Sequence, residues 1–385
     1  MLKSLFDDVQ VQVINDNFQS FLFSPTIGVL QGSILSPHLY SIYINTLPQL
    51  LRSDTPLTSS LPLTSINCLL FADDVALLAD PDQMQHLLNK AEQHSLLTGY
   101  RWSPSKCAII SSPSSPSVTY KLYDTPIPAV DTFKYLGVQF NHRGIDTQLF
   151  INYTKDKVQK SMYRLHNIGA RSNGFSPLLS MQVYRQFIRP QIEYGLCITN
   201  INNTNMPALE RMQDNCLRLI VGGHSTSSVK ALRVMLNLPT MVERWYVLNT
   251  KYNLRLKRLP HESLIFQIQN TNSRYSHLSL ISKKNPIYNS FIGDTSTKPD
   301  HTVLKQILSS FRSQALINSS EKMIQACRHD LSIDPILFLP MTRKEQRRLL
   351  RWRMNWLPGR KSDRYCGGEM SRYHLLTCPA IPPSY

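Results

Sequence analysis

The chain has 385 residues and 44.2 kDa, enough for two or three domains that each bury a core. Apolar residues make up 42% and charged residues 18%, which excludes wholesale disorder, and seven scattered cysteines exclude a dense disulfide scaffold. The net charge of +16 asks for a polyanionic partner, nucleic acid or an anionic membrane surface.

The charge is uneven. Residues 1–150 carry net −4, residues 151–260 net +11, residues 261–340 net +2 and residues 341–372 net +7. An acidic first third tolerates a cation, and a basic second third suits a phosphate backbone. No apolar run is long enough to span a bilayer. The first twenty residues hold Asp7, Asp8 and Asp16 and lack the layout of a secretory signal. An intracellular protein, nuclear or cytoplasmic and without a membrane partner, is expected.

In chain order, residues 9–23 alternate and read as a strand pair turning at Asn15, Asp16 and Asn17. Ser36 and Pro37 start a helix, Ser36 as its cap, with Leu39, Ile42, Tyr43, Leu47 and Leu50 on one face. Residues 52–65 are a loop. Residues 67–80 are two apolar runs around Asp73 and Asp74, a tight β-hairpin with carboxylates at its tip. A helix over 82–98 precedes an extended stretch, Tyr100 to Ser111, and a loop at 111–117. Residues 132–140 read as a strand. Helices are predicted over 147–169, 177–197, 206–221, 227–236 and 241–258, then over 301–328 and 342–356. Residues 261–300 look poorly organised.

Two adjacent aspartates at a hairpin tip repel each other. A solvated Asp-Asp turn accounts for them; so does a bound divalent cation, which takes oxygen ligands and can clamp the oxygens of a phosphoryl transfer. Their surroundings favour the cation. Gln31-Gly32 lies in GVLQGSILSP, 42 residues before Asp73, and puts an amide beside a residue without a Cβ. Lys106 follows in GYRWSPSKC, at the start of a strand, and FKYLGV spans Phe133 to Val138. Alone, Gln-Gly is a turn and a lysine is solvated. Their order and spacing together carry the signal.

The combination resembles the reverse transcriptase of non-LTR (LINE-type) retrotransposons over roughly residues 5–260. The resemblance implies an α+β fold: a partial polymerase palm, an antiparallel sheet with packed helices, then an all-α basic thumb and a Cys/His-containing tail. It implies that Asp73 and Asp74 of the Phe71–Asp74 box bind catalytic magnesium (or manganese) and that Lys106 protonates the leaving pyrophosphate. Gln31, Gly32, Phe71 and Ala72 would lie against the incoming nucleotide and template. The partners implied are an RNA template and an RNA–DNA or DNA duplex. The organisation expected is 1–140 partial palm (motifs B to E), 141–260 thumb, 261–340 linker with a helix, and 341–385 basic helix and tail. The family's motif A aspartate is not matched before Gly28, since SLFDDVQVQV around Asp7 and Asp8 lacks its pattern. A truncated element, inactive alone, is therefore expected. The alternative is a non-catalytic nucleic-acid-binding remnant of such an element.

In the tail, Arg347, Arg348 and Arg351 share a helix with Trp352 and Trp356, a pattern for phosphate contact and base stacking or for a solvated face with inward tryptophans. Cys366, His374 and Cys378 are spaced like zinc ligands and resemble the knuckle that ends many non-LTR elements. One cysteine of that knuckle is missing around Tyr365, Gly367 and Gly368. Three ligands leave a structural site open, so a degenerate site without stable zinc is expected.

Overall fold

The computed structural model describes residues 9–16, 18–25, 28–52, 67–225, 227–266, 284–290, 301–325, 327–328, 330–354, 356, 366–367, 374 and 377–379. Asp7, Asp8, the 52–65 loop beyond Arg52 and most of 261–300 lie outside them. The chain divides into two compact units, Met1–Val130 and Asp131–Tyr385. Among the described residues the fold mixes helices with small antiparallel sheets, an α+β arrangement, and no helix is long and apolar enough to cross a membrane.

In the first unit β1 (Ile14–Asn15) and β2 (Phe18–Gln19) pair antiparallel across Asp16, extended by a Val11–Phe23 bridge. The predicted single helix at 36–50 is two, α1 (Ser36–Ile44) and α2 (Thr46–Leu51), broken at Asn45. The inward face keeps its helical spacing across the break. Tyr40, Ile44, Leu47 and Leu51 pack inward, while Ile42 is 73% exposed. The Ser36 hydroxyl does not cap α1. It donates to the Leu30 carbonyl at 2.6 Å and closes the preceding loop instead.

β3 (Cys68–Phe71) and β4 (Asp74–Leu77) form the expected hairpin, and α3 (Pro81–Thr98) lies over it and α2. Leu47, Leu51, Leu87 and Ala91, with Leu70 and Val75 from the hairpin, make one core. Leu88 packs with Tyr120, Leu122 and Ile127 around β5 (Lys121–Leu122) and β6 (Thr125–Pro126) in a second. The strands of this unit stay in separate two-stranded pairs rather than joining one sheet.

Residues 132–141 are not one strand but a hairpin, β7 (Thr132–Tyr135) and β8 (Val138–Asn141), with β9 (Gly144–Ile145) beside β8. Leu136 and Gly137 both take positive φ, 46° and 81°, the two-residue turn that matches strand twist. The helices follow: α4 (Thr147–Asn167), α5 (Pro177–Val183), a π-helical turn over Tyr184–Ile188, α6 (Arg189–Glu193), α7 (Met206–Val221), α8 (Lys230–Met235) and α9 (Met241–Leu256). Pro190 has no N–H to return to the preceding turn, which accounts for the widened ladder before α6. Asp146, Ser176 and Thr240 cap α4, α5 and α9 with side-chain oxygens.

One large core joins these helices, with Tyr184, Ile188, Ile192, Leu196, Leu209, Leu217, Leu232 and Met241 fully buried. The basic helix Arg343–Arg353 belongs to it through Leu350 and Met354. It is shorter than predicted, and Trp356 lies beyond its end.

Candidate functional site

Gln31 and Gly32 are the central residues of a turn closed by the Ser33 amide donating to the Leu30 carbonyl at 3.3 Å. Gly32 takes φ 91°, the value a type II turn requires at its third residue, so a glycine is needed there for the backbone alone. Both residues are exposed, and no hydrogen bond links Gln31 to the hairpin tip among the described residues.

At that tip, Phe71 pairs with Asp74 across the ladder, and Ala72 and Asp73 make the turn. Ala72 takes φ 51°, a conformation that costs an L-residue about 1–2 kcal/mol. Packing of Leu70, Val75 and Leu77 against α2 and α3 holds it there. Phe71 is 62% exposed, and Ala72, Asp73 and Asp74 are all exposed. Neither carboxylate has a hydrogen-bond or ion-pair partner among the described residues, so four oxygens carrying two negative charges face open space. That donor set fits a hard cation such as magnesium or manganese. Among the described residues no third carboxylate, histidine or cysteine joins them at ligand distance.

Behind the tip sits a group that sequence reasoning missed. Tyr40 packs on the hairpin from α1, and burial, then the Asp73 charge, then Tyr43, push its phenol up. Tyr43 and Tyr100 stack edge-on, and Tyr100 stacks on Trp102 in the same way. His94, buried, is hydrogen-bonded through Nε2 to Thr46 at 2.8 Å and through Nδ1 to Tyr100 at 2.9 Å. Burial lowers its pKa. The 3.6-residue spacing of Tyr40, Ile44, Leu47 and Leu51 was the available signal.

Lys106 is not on a strand. It ends a 3₁₀ turn, Pro104–Lys106, and is exposed. Trp102 ties this segment down. Its amide donates to the Tyr123 hydroxyl at 3.1 Å and its indole N–H to the Ala91 carbonyl at 2.9 Å. The FKYLGV hairpin lies in the second unit.

In the tail the Cys366 Sγ is 3.1 Å from the His374 Nε2 and 3.4 Å from the Cys378 Sγ. All three donor atoms lie within 4.8 Å of one another, a group able to hold a metal ion. Arg351 and Trp356 are committed inside the second unit: Arg351 donates to the Gly222 carbonyl at 2.6 Å and Trp356 to the Ser228 carbonyl at 3.0 Å. Their structural role is thereby set.

Residues 2–140, which hold the Gln-Gly turn and the exposed aspartate pair, match the reverse transcriptase (RNA-dependent DNA polymerase) family. Over part of its length the chain is similar to proteins of non-LTR retrotransposons. It is 31% identical over 180 residues to the retrovirus-related Pol polyprotein from type-1 retrotransposable element R2 of Popillia japonica, covering 44% of this chain and 28% of that protein. It is 24% identical over 273 residues to the RNA-directed DNA polymerase from mobile element jockey of Drosophila melanogaster, covering 68% and 29%. To the probable RNA-directed DNA polymerase from transposon X-element of the same fly it is 23% identical over 242 residues, covering 60% and 26%. The chain thus spans less than a third of the length of these relatives.

Proposed function

We propose that this chain supplies the part of an RNA-directed DNA polymerase that holds one pair of catalytic carboxylates and grips the template–primer. The observation that carries the reading is the Asp73–Asp74 pair, exposed and unpartnered on the Ala72 turn. Asp73 and Asp74 would hold magnesium or manganese, which supplies neutralisation of the triphosphate and of the attacking and leaving oxygens. Lys106 would give its proton to the leaving pyrophosphate oxygen. Gln31 and Gly32, with Phe71 and Ala72, would line the nucleotide and template position. Residues 141–260, at net +11 with Lys134 and the FKYLGV hairpin before them, would grip the duplex through its phosphates. The Cys366, His374 and Cys378 group would hold zinc with a fourth donor from water or another side chain.

Primer extension on an RNA template tests the catalytic part. The 385-residue chain alone is expected to stay at background, because positioning carries phosphoryl transfer and Asp73 and Asp74 have no third ligand among the described residues. Joined behind a segment bearing the family's motif A aspartate, it should extend primers. That activity should vanish in Asp73→Asn and fall roughly 10²-fold in Lys106→Ala. Extension indifferent to Asp73 would overturn the assignment. That no third ligand joins the pair among the described residues also supports the second reading, nucleic-acid binding without catalysis, which predicts no extension even from the fusion.

A further inference from the structure

Ser103, Pro104, Ser105 and Lys106 make a short turn of the first unit, with Ser103, Ser105 and Lys106 exposed. Serine or threonine precedes proline elsewhere in the chain, at Ser112, Ser115 and Thr125 among others. At Ser103 alone does a lysine or arginine follow three residues on. The residue before a proline is pushed into extended backbone, because the pyrrolidine ring crowds its amide and Cβ. Ser103 conforms, at φ −105° and ψ 100°. Its hydroxyl lies 3.1 Å from the Ser105 hydroxyl, at an exposed position.

Behind this turn Trp102 is tied to Tyr123 and Ala91, so the segment has a fixed root. In front, two backbone hydrogen bonds close the turn. The Lys106 amide donates to the Ser103 carbonyl at 3.0 Å, and the Cys107 amide to the Pro104 carbonyl at 3.1 Å. A single exposed turn held by two such bonds opens locally at little cost, and Ser103 to Lys106 then lie extended, as the cleft of a protein kinase requires. Pro104 has no N–H, which suits a cleft that offers that position no acceptor. Lys106 adds one positive charge at a fixed distance along the extended chain.

We propose that Ser103 is a phosphorylation site for a proline-directed protein kinase that also reads the cation three residues on, and that the attached phosphate pairs with the Lys106 ammonium. The γ-phosphoryl group of ATP passes to the Ser103 Oγ. The new O–P bond forms as the bond to the ADP oxygen breaks, and the hydroxyl proton goes to the kinase's base. The product carries roughly −1.5 to −2 charge at pH 7. The turn brings Lys106 back to Ser103, and its flexible four-carbon stem reaches the phosphate. Among the described residues no ion pair engages Lys106. Arg101, the nearest other cation in sequence, already lies over the Tyr123 ring, its guanidinium carbon 4.7 Å from the ring centre. The consequence for catalysis rests on the reading of Lys106 given above: an ammonium held by phosphoserine is withdrawn from the leaving pyrophosphate. The modification thus lowers the chemistry while leaving Asp73 and Asp74 untouched.

The test treats the full, folded chain with a cyclin-dependent kinase and ATP, and peptide mass spectrometry reads which residue is modified and how fast. Ser103 should fill about tenfold faster than Ser112 or Ser115, and Pro104→Ala or Lys106→Gln should each slow it about tenfold. Acetylation at pH 8 then reads the pairing, because only a free amine reacts. Phosphorylation should slow acetylation of Lys106 about threefold relative to the mean of the other lysines, and phosphatase should restore it. Ser103 filling no faster than Ser112 and Ser115, or not at all while a free Ser-Pro-x-Lys peptide is modified in the same tube, would overturn the site. Unchanged acetylation of Lys106 would overturn the pairing. Neither measurement needs polymerase activity, so both are independent of the reverse transcriptase reading. In the fusion bearing a motif A aspartate, phosphorylation should lower primer extension about tenfold, and Ser103→Ala should make it indifferent to the kinase. Extension unchanged with Ser103 filled would refute the catalytic consequence, whereas a fusion that never extends primers would refute the polymerase reading and leave the site standing.

Discussion

Tyr194 stands where Gly137 has no side chain: its hydroxyl donates to the Leu136 carbonyl at 2.6 Å, and its Cε1 lies 2.9 Å from where a Cβ on Gly137 would be. The two residues are 57 apart in the chain and hold the β7–β8 turn against the helices of the second unit. The glycine of FKYLGV is thus explained twice, by φ 81° and by this contact. Gly137→Ala should destabilise the chain by about 2–3 kcal/mol in denaturant unfolding, the sum of left-handed strain and overpacking. Tyr194→Phe should cost about 1 kcal/mol for the lost hydrogen bond. In the double variant Gly137→Ala, Tyr194→Ala the two losses should be less than additive, because the clash is gone.

Asp73 and Asp74 should bind manganese weakly, and thermal unfolding with and without the ion reads this. A ligand at about a hundred times its dissociation constant adds about 2.7 kcal/mol to whatever it holds folded, so the melting midpoint of the first unit should rise with manganese. In Asp73→Asn, Asp74→Asn that rise should be absent, while the metal-free midpoint stays level or climbs slightly as two neighbouring like charges are removed.

The cysteines should differ in reactivity at pH 8. Burial pushes the Cys216 thiol up to about 12, so alkylation followed by mass spectrometry should find it unmodified until the chain unfolds. Cys366, half-buried, should be modified in the absence of zinc and protected in its presence, with His374→Ala removing the protection. Equal labelling with and without zinc would show that the group does not hold the ion.

Removing the end of the chain from residue 341 should cost stability. Leu350 and Met354 are core residues of the second unit, and Leu350→Ala alone should cost about 2–4 kcal/mol in denaturant unfolding. Arg348→Gln, at an exposed position of the same helix, should be near neutral and is the appropriate probe of phosphate contact there.

Burial raises the Glu210 and Glu243 carboxyls above the ordinary range, in spite of Arg233 beside the first and Arg312 beside the second. A carboxyl that titrates higher folded than unfolded takes up protons on folding. Its contribution to stability is fully present below the unfolded value, near 4.3, and is lost as pH rises through the folded one. Acid unfolding set by other carboxylates should therefore be opposed by these two just above that value. Glu210→Gln keeps an acceptor for the Met241 and Val242 amides, so the variant should lose its part of the pH dependence without losing the fold.

Local chemistry was readable without a structure. Apolar runs bounding Asp73 and Asp74 make a hairpin because a two-residue turn is the shortest antiparallel link, and the order of Gln31-Gly32, the aspartates, Lys106 and FKYLGV carries the resemblance to the reverse transcriptases whatever the packing. The capped helices from Thr147 to Leu256 follow from spacing and from Asp146, Ser176 and Thr240. Tertiary contacts decided the rest. Ser36 had a cap's identity, but its hydroxyl found the Leu30 carbonyl; Leu136-Gly137 turned one apparent strand into two because Tyr194 fills the space beside them. Arg351 and Trp356 look like nucleic-acid contacts in sequence, yet backbone carbonyls more than a hundred residues away take their donors. Periodicity records which face of an element is apolar. Which distant group a polar or aromatic side chain satisfies depends on long-range packing that no local window contains.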